Sequence, residues 1–160
     1  MRVAVGGTFD PVHDGHYSLL KKAFELGDEG VVVGLTSDDL APKTRDEERR
    51  IRSFEERKEG LVEAIEEVNE WSRDYEVDKL EDPFGIASED PSFDCIVVSP
   101  ETQKGAEKIN EIRQENGMET LDIVVVPYIA AEDGDPISST RVVKGEIDKH
   151  GNVKEEETRG

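Results

Sequence analysis

Four short apolar runs limit what this chain can become: "VAV" at 3–5, "VVVGL" at 31–35, "CIVVS" at 95–99 and "LDIVVV" at 121–126. Each is short and nearly continuous in its apolar character, the pattern of a strand buried on both faces. Helical spacing fills the intervals. Leu19, Leu20, Ala23 and Phe24 mark a helix from about His16 to Leu26, stopped by Gly27. Ser53 and Glu56 form a capping-box pattern ahead of a helix to about Trp71. Its apolar face carries Phe54, Leu61, Val62, Ile65, Val68 and Trp71. A third helix is expected from about Glu101 to Asn116, and "ISST" offers N-cap residues to a short last one ending near Gly145. With one more strand around residues 75–80, strands and helices alternate. That alternation predicts βαβ units: an α/β chain, a single Rossmann-like domain with a five-stranded parallel sheet and helices on both faces.

A length of 160 residues suits one domain. Residues 1–145 are expected to form it. Residues 146–160, "EIDKHGNVKEEETRG", lack apolar periodicity and read as a flexible acidic C-terminal tail. "EDPFGIASEDPSFD" reads as a loop. Apolar content of 34% against 37% charged would permit disorder, but the clustering of the apolar residues argues for a fold. A net charge of −19 opposes binding to nucleic acid or to an anionic membrane, which both require basic patches. The acids are spread along the whole chain, as on a surface adapted to high salt, a halophilic pattern; an ordinary acidic protein is the alternative. Cys95 is the single cysteine, so neither an intramolecular disulfide nor a cysteine-based zinc framework is expected. The first strand starts at once, without a charged-then-apolar leader, and no apolar run approaches 18 residues. The cytoplasm is the expected location.

Ligands of such sheets bind beyond the carboxyl ends of the strands, where strand order switches. The loops at 6–16, 36–45, 99–105 and 127–141 are therefore where chemistry is expected. The first contains "GGTFDPVHDGH". Gly6 and Gly7 admit a ligand close to the backbone, Thr8 offers a hydroxyl, and Pro11 stiffens the turn. His13 and His16 flank Gly15 as the first helix starts, and free N–H groups at a helix start favour phosphate oxygens. Imidazoles there can donate further hydrogen bonds to a charge-rich phosphoryl transition state. The pair could equally be metal ligands. Zinc requires three or four protein ligands, however, and the remaining histidine is His150 in the tail.

"GTFDPVHDGH" resembles the H-x-G-H signature of the nucleotidyltransferase superfamily, and "ISSTR" at 137–141 resembles its second signature. Within it, "GLTSDD", "SFEERKEGL", "VVSPETQKGAEKIN" and "DGDPISSTR" are similar to pantetheine-phosphate adenylyltransferases of the archaeal and eukaryotic type, over about residues 1–145. The resemblance implies adenylyl transfer from ATP, with Mg2+, to 4′-phosphopantetheine, giving dephospho-CoA and pyrophosphate. The product, or CoA itself, is a further expected ligand. His16 and His13 would be catalytic, His16 on the α-phosphate and His13 on the triphosphate. Gly7, Thr8 and the Phe9 backbone would meet the reacting phosphates. Lys43 would pair with the phosphopantetheine phosphate beside Thr8. Ser138, Ser139 and Thr140 would cradle the β- and γ-phosphates, with Arg141 adding charge. Glu101 and Thr102 would face the nucleoside. Arg45, Arg49 and Arg113 are the candidates for holding pyrophosphate, and Phe84 and Gly85 for lining the pantetheine arm. No resident metal site is implied.

Each residue also has a plainer reading. The Ser138–Thr140 run can be a cap, Lys43 a solvated charge, and Glu101 and Thr102 a helix start. A sister nucleotidyltransferase acting on NMN, FMN or a phosphoalcohol is the rival within enzymes. An ATP-sensing module without turnover is the rival outside them. Self-repulsion at −19 is screened by salt, so the fold should weaken in dilute buffer. The melting temperature is expected to fall from molar potassium chloride to dilute buffer; equal values would remove the salt-adapted reading.

Overall fold

Neighbouring residues of the apolar runs point to opposite faces of one sheet, and the two faces are finished differently. The structure, a computed structural model, describes residues 1–40, 51–82 and 85–153, apart from the side chains of Ile86, Ser139 and Thr140. The strands are β1 (Val3–Gly7), β2 (Val31–Thr36), β3 (Tyr75–Leu80), β4 (Cys95–Val98) and β5 (Asp122–Val125). They lie in the order β3-β2-β1-β4-β5, and every pair is parallel, as expected from the alternation.

One face carries Val3, Val5, Val31, Val33, Leu35, Cys95 and Val97. It is covered by α1 (Asp14–Leu26) and α2 (Phe54–Val68), which bury Leu20, Ala23, Phe24, Leu61 and Ile65 against it. Burying each of the large side chains among them contributes about 1.5–3 kcal/mol, which makes this face the main core. The other face carries Ala4, Val32, Ile96 and Val98 under a single long helix, α3 (Gln103–Glu115), through Ala106 and Ile109. Small residues floor that second face. Ala4, Gly6, Val32 and Gly34 stand there, and a Cβ on Gly6 would approach the Gly34 carbonyl oxygen to 3.1 Å. These residues, with Ala106 and Ile109 of α3, line an open groove, while the Leu80 side chain occupies the place a Gly34 Cβ would take.

The pairing of β1 with β2 runs from Val3↔Val31 to Gly7↔Leu35. Its pairing with β4 ends at Ala4↔Ile96, while β4 continues along β5 to Val98↔Val125. Each central strand thus keeps only its outer neighbour toward the carboxyl end. That is the switch-point crevice of an open parallel sheet.

Three sequence expectations change. The helix expected to reach Trp71 stops at Val68, because the Asn69 side chain exchanges two 2.9 Å hydrogen bonds with the Arg73 backbone and turns the chain. The tail expected from Glu146 folds back as far as Val153. Ile147 is fully buried with Ala131 and Ile137, and the Lys149 carbonyl accepts from the Asp14 N–H at 2.9 Å. One isolated apolar residue gives no periodicity, which is why this docking escapes pattern reading; residues 154–160 lie outside the described residues. Arg113 is no pyrophosphate ligand. It is 2% exposed on the inner side of α3, donating to the carbonyls of Ala87 (2.8 Å), Asp90 (2.9 Å) and Glu119 (2.7 Å). Arg113→Met should leave those carbonyls unpaired and lower stability by about 2–4 kcal/mol. Urea unfolding checks this, and a change under about 0.5 kcal/mol, the scale of an ordinary surface substitution, would contradict it.

Candidate active site

The first turn of α1 is built by two imidazoles. His13 is the N-cap, and its Nδ1 accepts from the Gly15 N–H at 3.0 Å. His16 reaches back, its Nδ1 accepting from the His13 N–H at 3.2 Å. This is the reciprocal capping box usually made by Ser or Thr with Glu, here made by histidines. It starts α1 at Asp14, two residues before the start read from the sequence. It also explains Gly15: a Cβ there would lie 2.8 Å from His13 Cε1. The rings stack at 3.9 Å between centroids, and Phe9 packs on His16 at 4.8 Å.

Since each Nδ1 accepts a backbone hydrogen bond, the proton of each neutral ring sits on Nε2. Burial keeps His13 neutral by pushing its pKa down to about 4, against a smaller opposing effect of Asp14. The turn therefore offers an anion the Nε2–H groups of its rings, that of His13 uncharged, and the positive end of a helix. The backbone around it is held firmly. Phe9 is buried with φ 50°, and buried Asp10 accepts from Arg52 through its backbone N–H (2.9 Å) and Nε (2.5 Å).

One cavity of about 920 Å³ brings the expected residues together. Gly7, Thr8, Phe9, His13 and His16 line it from the first loop, with Glu101 and Thr102 after β4 and Ser138 after β5. Thr102 Oγ1 accepts from the Ser99 N–H at 3.1 Å, and Ser138 Oγ accepts from the Arg141 N–H at 3.2 Å as the cap of α4 (Ser139–Val143). Ser139 and Thr140 open that helix, their side chains lying outside the description. Gly85 also lines the cavity. Lys43, Arg45, Arg49 and Phe84 lie outside the described residues. Arg141 does not line the cavity; its guanidinium pairs with Asp133 and, at 3.0 Å, with Glu146, hydrogen bonds that raise its pKa.

Several participants escaped the sequence reading. Lys79 lines the cavity with its Nζ 4.7 Å from the centre of the Phe54 ring, and is the one Lys or Arg among the described lining residues. Five carboxylates share the wall: Asp78, Glu81, Asp82, Glu89 and Glu101. Thr36 lines the cavity beside Thr8, and the fully buried Arg57 lies behind both. Arg57 falls on the stripe Phe54–Leu61–Ile65, so its place on the inner face of α2 was the available signal. Among the described residues, no three His, Cys, Asp or Glu side chains cluster as a metal site, and no helix is long and apolar enough to cross a membrane.

A switch-point crevice with N–H donors at a helix start is the arrangement of an α/β nucleotide-binding fold. The chain matches the cytidylyltransferase-like family over residues 4–145 and belongs to that family. It is 51% identical over 156 residues to a phosphopantetheine adenylyltransferase of Methanosarcina acetivorans, covering 97% of both chains. It is 49% identical over 154 residues to the enzyme of that name from Methanosarcina barkeri, covering 96% of this chain and 92% of the relative. A crystal structure of a protein of unknown function from Archaeoglobus fulgidus superposes with a TM-score of 0.70 at 35% identity, covering 79% of this chain and 89% of that one. The family resemblance carried by the two signatures is thereby borne out.

The depressed pKa of His13 has a consequence for stability. Between its folded value of about 4 and its unfolded value of 6.5, the unfolded chain binds the extra proton. The stability from burying neutral His13 is full above 6.5 and is lost as pH falls toward 4, by about 3 kcal/mol. His13→Asn, which can still cap α1, should flatten that part of the fall in urea unfolding between pH 7 and pH 4. Parallel curves for the two proteins would contradict it.

Proposed function

We propose that this chain transfers the adenylyl group of ATP to 4′-phosphopantetheine, releasing pyrophosphate and forming dephospho-CoA. The observation that carries the reading is the histidine box at the start of α1, with both rings in the wall of the switch-point cavity. The names of the relatives at 49–51% identity point to the same acceptor.

The chemistry asks for little covalent help. An oxygen of the acceptor phosphate attacks the α-phosphorus of ATP, the new P–O bond forms, and the bond to the β-phosphate oxygen breaks. The nucleophile is already ionised near neutral pH, so no general base is required. The protein's task is to align two anions and stabilise charge on the α-phosphoryl oxygens. His16 acts as an Nε2–H donor to those oxygens, and His13 as a donor to the triphosphate. Thr8 and the backbone at Gly7 and Phe9 meet the reacting phosphates, and Lys43 pairs with the acceptor phosphate. Ser138, Ser139 and Thr140 hold the outer phosphates. Arg141 joins them only by leaving Asp133 and Glu146. Glu101 faces the nucleoside. The small-residue groove beside α3, with Gly85 at its edge, suits an extended pantetheine arm. Dephospho-CoA or CoA would fill the same space.

Magnesium enters as part of the nucleotide substrate, held by phosphate oxygens and water. The described side chains offer it no cage, and no step depends on one. Use of ATP supports a cytoplasmic location.

The deciding experiment incubates the protein in molar potassium chloride with MgATP and, separately, phosphopantetheine, NMN, FMN and a phosphoalcohol, and follows pyrophosphate. Release is expected with phosphopantetheine. Release with another acceptor alone would move the substrate, and ATP binding without release would make the chain a sensor. His16→Ala should cut turnover by about 10²-fold with little change in ATP affinity, as for loss of an oxyanion donor. Normal turnover in that variant would remove His16 from the mechanism.

A further inference from the structure

Arg57 is fully buried, yet it sits in the first turn of a helix otherwise anchored by apolar side chains. Its guanidinium makes four hydrogen bonds, one to the segment before α2 and three to the first loop and the end of β2. Nε donates to the Arg52 carbonyl at 2.8 Å and Nη2 to Asp38 at 3.2 Å. Nη1 donates to the Thr8 carbonyl at 3.3 Å and to Thr36 Oγ1 at 3.2 Å. Thr36 Oγ1 in turn lies 3.0 Å from Thr8 Oγ1.

The direction of this chain follows from what each group can do. A guanidinium has only donors, so Thr36 Oγ1 must accept from it. A hydroxyl has one proton. The geometry makes Thr36 Oγ1 the donor and Thr8 Oγ1 the acceptor at 3.0 Å, so the one Thr36 proton is given to Thr8. Thr8 therefore accepts on its inner side, and its own proton is turned outward, into the cavity that Thr8 lines. Left alone, a threonine hydroxyl rotates and presents lone pair or proton with little preference. Here its polarity is set from behind.

We propose that Arg57 is a positioning residue which, through Thr36, fixes the Thr8 hydroxyl as a hydrogen-bond donor to the reacting phosphate. The inference rests on the placement of Thr8 at that phosphate, proposed above. It assigns Arg57 a task at the site without contact with substrate. The buried cation reaches the anion as an oriented O–H dipole, and the donor requires no reorientation when the phosphate arrives. Arg57 also binds Asp38, which caps α2 by accepting from the Phe54 N–H at 2.7 Å, so the donor's orientation is tied to the packing of α2.

The test uses the full chain with MgATP and 4′-phosphopantetheine, comparing kcat/KM among variants. Thr36→Val keeps the shape and removes the relay hydroxyl; Thr36→Ser keeps the hydroxyl. Thr36→Val should lose about 10- to 100-fold, the worth of one hydrogen bond to a charged group, and Thr36→Ser should regain most of it. Thr8→Val should lose at least as much. The double variant Thr8→Val/Thr36→Val should be no worse than Thr8→Val alone, because Thr36 acts through Thr8. Full activity in Thr36→Val, a fall in Thr36→Ser equal to that in Thr36→Val, or additive losses in the double variant would each overturn the relay. An impaired Thr8→Val beside an active Thr36→Val sinks the relay alone. An active Thr8→Val sinks the phosphate role of Thr8 and the relay with it.

Discussion

Beyond Ala4 the two central strands stop pairing with one another, and the site depends on that parting. β1 stays with β2 through Gly7, and β4 stays with β5 through Val98, so the carboxyl ends of β1 and β4 border a crevice. A ligand there meets the first loop and the loop after β4 without any element having to move aside. The uneven covering of the sheet extends the same space. Two helices seal one face; a single long helix and small strand residues leave the other partly open.

In the proposed reaction, the anions that enter that space meet the histidine box rather than a cluster of cations. The described wall holds five carboxylates and one lysine, an unpromising balance for polyanionic substrates. In the proposed reaction, the histidine box compensates by geometry. Using both Nδ1 atoms as caps fixes the tautomers, and burial of His13 keeps its ring uncharged. The cap and the donor are two ends of the same ring, so folding of α1 and preparation of the site are one event.

The sheet was readable because four of its strands are apolar runs with turn residues between them, and those four appear where the runs lie, with the more polar β3 at the edge around 75–80. The helix starts were less readable. Pattern rules look for Ser, Thr, Asp or Asn at an N-cap, and His13 is none of these. Trp71 carried the helical pattern past its end because Asn69 breaks the helix through its side chain, a bond that no hydropathy pattern displays. Ile147 was invisible for the opposite reason: one apolar residue among acids has no period, yet it fills a small core of its own. The site divided along the same line. Contiguous motif residues such as Thr8, His13, His16 and Ser138 could be placed in advance. Arg57, Thr36 and Lys79 could not, because their proximity is created by strand register and helix packing.

Arg113 and Arg57 show why charge in a sequence is a poor guide to anion binding. Both are buried arginines on inward helix faces, and a motif search would offer either to a phosphate. Arg113 spends its donors on three carbonyls on the α3 side of the sheet, where it closes a loop. Arg57 lies on the α2 side, against β2 and the first loop, where the geometry allows one of its hydrogen bonds to be passed on. The difference is the acceptor: a carbonyl ends a hydrogen-bond chain, whereas a hydroxyl receives on one side and gives on the other. In a chain of net charge −19, a cation relayed through hydroxyls can orient a donor toward phosphate while its own charge stays paired with Asp38. Under the proposed relay, so acidic a protein keeps a donor for anions without placing a free cation at the site.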